Sequence, residues 1–118
     1  MVNYYLLPME INFKHKKLKD LCEQAQLAQR NLGSKMARKL QARLADLLAA
    51  PSVAELPQAD RPHPLKGDRA GEFALDLVHP KRLVFEPDHN PVPRKDDGGI
   101  DWSRVTRVCI IWIGDYHG

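Results

Sequence analysis

Residues 9–13, "MEINF", alternate apolar and polar positions and predict a short half-buried strand near the start of the chain. The period then changes. From Lys16 to about Asn31, Leu18, Leu21, Cys22, Ala25 and Ala28 recur at spacings of three and four, which predicts one amphipathic helix. Gly33 closes it, because glycine tolerates the left-handed backbone of a helix end, and Ser34 is expected to cap the next helix with its hydroxyl. That second helix runs from about Lys35 to Ala49, with Met36, Leu40, Leu44, Leu47 and Leu48 as its apolar stripe, until Pro51 forbids continuation. An antiparallel helical hairpin is implied.

Between Pro51 and Pro64 four prolines and little periodicity predict a surface connection. "EFALDLV" (72–78) and "RLVFEP" (82–87), joined by "HPK", predict a β-hairpin. Residues 88–101, "DHNPVPRKDDGGID", are a polar Pro/Gly-rich loop, and "VTRVCIIWI" (105–113) is so continuously apolar that it is expected to be the central strand, covered on both faces. The order β-α-α-β-β-β defines an α+β domain, a mostly antiparallel sheet with a helical hairpin packed on one side, and residues 1–118 form a single domain.

Charge changes this picture. Residues 1–50 hold nine basic and four acidic side chains, the remainder nine and eleven, so a basic helical half adjoins a mixed half. Such a half, carrying Lys14, Lys16, Lys17, Lys19, Arg30, Lys35, Arg38, Lys39 and Arg43, is either a solvated face or one that meets a polyanion or an acidic partner. Cys22 and Cys109 sit far apart among apolar neighbours and read as core thiols of a reducing compartment, with no disulfide or metal pairing expected. The N-terminal stretch lacks a basic region and a small-residue cleavage site, and no apolar run approaches the roughly 18 residues of a membrane span, so a cytoplasmic address and no membrane partner are expected.

The candidate chemistry lies in two places. "HPLKGDRAGEFAL" brings an imidazole, an ammonium and a guanidinium within seven residues, at His63, Lys66 and Arg69, a set suited to phosphate. The plainer alternative is a turn with ordinary charges. Arg82 opens the apolar run "RLVFEP"; it either pairs with an acid such as Asp76 or Asp115, or points into an anion site. The second place is "IGDYHG", where Asp115, Tyr116 and His117 follow the last strand. Histidine exchanges protons near neutrality, with an unperturbed pKa of about 6.5, and tyrosine stacks or donates a hydrogen bond.

These residues resemble the RelE/ParE superfamily of bacterial toxins, and within it the HigB-like branch, the killer component of plasmid-maintenance toxin–antitoxin systems. The resemblance runs from "FKHKKLKDLCE" through the Leu32-Gly33 break and "HPLKGDRAGEFAL" to Arg82 and the closing "DYH"; His63, Leu65, Gly67, Asp68, Arg69, Gly71 and Phe73 stand in the branch's order. It implies a RelE-like fold and a metal-independent endoribonuclease, needing no cofactor, that cleaves mRNA in the ribosomal A site and so inhibits translation and growth. His117 would then transfer the proton, Lys66, Arg69 and Arg82 would stabilise the charge building on the phosphoryl oxygens, His63 would assist, and Asp115 and Tyr116 would orient His117 or stack on a base. The implied partners are the ribosome, with its rRNA and bound mRNA, and a HigA-like helix-turn-helix antitoxin through which alone operator DNA is contacted. Pro64, Glu72 and the length of the 88–101 loop depart from the branch's pattern. Two other functions are compatible with the same fold: a ParE-like inhibitor of DNA gyrase, and an inactive corepressor that only binds its antitoxin.

Overall fold

The structure, a computed structural model, describes residues 9–115. Strand β1 (Glu10–Phe13) leads into three helices, α1 (Lys16–Glu23), α2 (Ala25–Leu32) and α3 (Ser34–Ala49). Four strands follow: β2 (His63–Pro64), β3 (Phe73–Asp76), β4 (Arg82–Pro87) and β5 (Arg107–Gly114). They form one sheet in the order β1-β5-β4-β3-β2, in which β1 runs parallel to β5 and every other pair is antiparallel. The expected α+β class stands, and so does the mostly antiparallel character of the sheet.

The long first helix does not. It breaks at Gln24, whose backbone is extended (φ −113°, ψ 101°), into two eight-residue helices. The break removes the helical partner of the Cys22 carbonyl, and Gln41 of α3 replaces it, its Nε2 donating to that oxygen at 3.0 Å. A helix–helix hydrogen bond thus satisfies what the backbone no longer can. Nor does Ser34 cap α3: Gly33, at φ +84°, ends α2 and caps α3 with its own carbonyl, which accepts from Ala37 N, while the Ser34 hydroxyl accepts from Gln29 Nε2 at 2.9 Å.

The core fills one face of the sheet. Phe73, Leu75, Leu83, Phe85, Val108 and Ile110 pack there against Leu40 and Leu47 of α3 and Cys22 of α1. Alternation puts every second residue of a strand on the same face, so Ala74, Asp76, Arg82, Val84, Trp112 and Gly114 belong to the other. The apolar stripe of α3 is narrower than expected, for Leu48 is 47% exposed, while Arg43, on the face of Leu40 and Leu47, is buried. β4, not β5, is the middle strand, and its residues 82–85 are all buried. The shift comes from β2, a two-residue strand in the proline-rich connection that adds a neighbour on the far side of β3.

The 88–101 loop is anchored. Arg94 bridges to Ile100, Arg104 donates to Asp101 and to the Arg94 carbonyl, and His89 Nε2 accepts from the Thr106 and Arg107 amides. Trp102, just beyond the loop, lies against Phe73 with ring centroids 4.7 Å apart. Both cysteines are free thiols. Among the described residues no helix is long and apolar enough to cross a membrane.

Candidate functional site

Strand register builds a line of side chains across the face of the sheet opposite the core. His63 pairs with Ala74, Ala74 with Val84 and Val84 with Trp112, so β2, β3, β4 and β5 each contribute one residue. Three inter-strand gaps of about 4.8 Å separate the ends of this line by roughly 14 Å. A second line runs beside it, in which Asp76 pairs with Arg82 and Arg82 with Gly114.

The "KGDRAG" turn folds over the first line. Gly67 (φ +63°) and Gly71 (φ +96°) supply the left-handed backbone that turns the chain around the single helical turn Gly67–Arg69. This carries the Arg69 guanidinium to 4.5 Å from the centre of the Trp112 ring, a cation–π stack. Glu72 holds the same guanidinium at 2.8 Å. Glu72 is therefore the carboxylate that orients Arg69. Beneath the indole lies Gly114, where a β-carbon would collide with the ring, so glycine is required for Trp112 to lie flat on the strand end.

Arg82 takes the first of its two expected alternatives. It is buried, and its Nε lies 2.8 Å from Asp76 Oδ1, off the line a hydrogen bond needs, so the contact is one of charge alone. Its NH1 donates to the Lys81 carbonyl at 3.2 Å. Asp76 also faces Arg61 at 3.6 Å, and its carbonyl accepts from Arg43 Nε at 2.6 Å. His63 donates from Nδ1 to the Arg61 carbonyl at 2.8 Å, since a carbonyl only accepts. The neutral ring then keeps its basic lone pair on Nε2, the arrangement a proton acceptor requires.

His63, Arg69 and Arg82 thus share one face of the sheet, and the end of β5 at Asp115 leaves beside Arg82. Lys66 is exposed at the start of the turn and makes no ion pair among the described residues. Tyr116 and His117 lie outside the described residues. Sequence reasoning passed over Trp112, which an apolar run disguised as core; the available signal was Gly114 two positions on, on the same face. It also missed the buried pair Arg43–Asp60, at 2.9 Å. Burial pushes the Asp60 carboxyl up to about 6, with the neighbouring Asp46 carboxyl acting in the same direction and the Arg43 charge opposing it. The Cys22 thiol is pushed up to about 11 by burial, which suits packing and disfavours reactivity. Among the described residues no three His, Cys, Asp or Glu side chains converge to hold a metal ion.

The chain matches no family model, and no curated protein matches it.

Proposed function

We propose that the chain is the toxin of a toxin–antitoxin pair and acts as a metal-independent endoribonuclease on mRNA bound to the ribosome. The observation that carries this reading is the alignment of His63, Arg69 and Arg82 on one sheet face, with β5 ending beside them. Cleavage by attack of a ribose 2′-hydroxyl on the neighbouring phosphate needs a proton acceptor, a proton donor and cations for the developing charge. Arg69, stacked and tethered, offers a guanidinium of fixed orientation, and Lys66 a second cation at the rim. Arg82, its charge shared with Asp76, contributes a weaker field and chiefly holds the end of β5. His117 follows Gly114 by three positions, at most roughly 11 Å of chain, and in this reading serves as proton donor or acceptor. The basic α1–α3 side supports docking on rRNA, and an antitoxin of HigA type would accompany the protein.

Induction of wild type, His117→Ala and Arg69→Ala in separate cultures, with primer extension on cellular mRNA, tests the reading. New cleavage sites in wild type, reduced by about 10²–10⁴ in rate in each variant, are expected; cleavage unchanged in both, or absent in wild type, overturns it. A second reading, inhibition of DNA gyrase by binding, is favoured by one observation: Arg69 and Arg82 each already carry a carboxylate partner. That inhibitor would stop growth as effectively with Ala at position 117 and leave mRNA intact.

A further inference from the structure

β1 pairs with β5 only as far as Phe13↔Ile110, so among the described residues no strand flanks residues 111–114 of β5 on that side. α1 crosses alongside instead, and a groove of about 240 Å³ opens between them, lined by Leu18, Leu21, Ile111, Ile113, Trp112 and, at its mouth, His15 and Lys17. It adjoins the candidate site directly, since Trp112 forms part of its wall and also carries Arg69 on its ring. We propose that this groove seats one nucleotide of a single-stranded RNA, next to the phosphate held on the sheet face. The inference rests on the ribonuclease reading and names a substrate subsite for it.

Size, walls and charge agree on this occupant. The volume falls below the roughly 300–1,000 Å³ of pockets that take drug-sized ligands, and it suits a single flat base. Aliphatic walls from Leu18, Leu21, Ile111 and Ile113 offer a base an apolar slot. The mouth is cationic. Lys17 is exposed and makes no ion pair among the described residues, whereas Lys16 beside it is held by Asp20 at 2.7 Å. His15 accepts the Leu18 amide on Nδ1 at 3.3 Å, so its neutral ring carries the hydrogen on Nε2 and presents a donor. Another, larger groove between β1 and α3, about 440 Å³, is by contrast lined by Ile11, Phe13, Leu44 and Leu48 with Glu23 as its one charged side chain. Nothing there would attract a phosphodiester.

The probe is an RNA pentanucleotide methylated at every 2′-oxygen, which cannot be cleaved by internal attack, titrated into purified protein while indole fluorescence is followed. Trp102 and Trp112 are the two indoles of the chain, and Trp102→Phe isolates the second; photocrosslinking of a bromouridine version to intact wild type, with mapping of the joined peptide, gives an independent readout. Saturable quenching, crosslinks within residues 15–21 or 111–113, and affinity lowered about tenfold by Lys17→Glu but not by Lys39→Glu are expected, with the salt slope reduced by about one. Crosslinks mapping elsewhere, or equal affinities for wild type and Lys17→Glu, overturn the subsite, as an apolar partner side chain in the groove would produce. Cleavage on ribosomes without groove binding removes the subsite and leaves the nuclease; groove binding without cleavage does the reverse.

Discussion

Asp76 stands directly across the β3–β4 pair from Arg82, and its carboxylate lies 2.8 Å from a guanidinium that is almost wholly buried. Neither charge is tolerable there without the other. Removing the carboxylate by Asp76→Ala leaves a buried, uncompensated cation and is expected to cost about 3–5 kcal/mol. Replacing both residues together, Asp76→Leu with Arg82→Met, is expected to recover most of that loss. Urea unfolding of the three proteins checks it; a single variant as stable as wild type would refute the pairing as a structural element.

The Asp60 carboxyl gives a pH dependence with a definite sign. Its pKa is raised in the folded state, from 3.8 to about 6, so the folded protein binds this proton more tightly than the unfolded chain. The resulting stabilisation is complete below about pH 4 and is lost as pH rises through about 6. Asp60→Asn removes this component. Unfolding free energies measured from pH 4 to 7.5 should therefore fall more steeply for wild type than for the variant, and parallel curves would contradict the assignment.

Gly114→Ala drives a methyl group into the Trp112 indole. The ring must leave the strand end, and Arg69 loses its platform. A destabilisation of about 1–3 kcal/mol is expected from the overpacking, together with a changed near-ultraviolet circular dichroism signal from the indole. An unaltered tryptophan signal would mean that the ring does not lie on Gly114.

Adjacent leucines of α3 should behave oppositely. Leu47 is fully buried, and Leu47→Ala is expected to cost about 2–5 kcal/mol. Leu48 is 47% exposed, and Leu48→Lys should stay within about 0.5 kcal/mol of wild type. Thermal melts of the two variants decide it.

How much of this was legible in the sequence follows from which forces act locally. Helix α3, strands β1 and β4, and the β3–β4 hairpin were visible because their periodicity reports a face, and the face is what tertiary packing selects. The break at Gln24 was invisible, for neither glycine nor proline marks it and its compensation, Gln41, lies seventeen residues away in another helix. β2 was hidden by its length and its prolines: two residues pair because β3 offers an edge, not because "HP" favours extension. At the candidate site, residue types were readable and relationships were not. His63, Arg69 and Arg82 were singled out, but the carboxylates that orient the two arginines, and the indole beneath Arg69, emerge only when the register of four strands is known.

The place of β5 carries a consequence for biosynthesis. The last described strand is threaded between the first strand and the fourth, so β1 gains its sheet neighbour among the described residues, and the centre of the sheet its second, only after residues 107–114 have been made. Contacts of such long sequence separation close late and slowly. Until residues 107–114 have been made, a nascent chain therefore has neither the Trp112 platform nor the seat for Arg69.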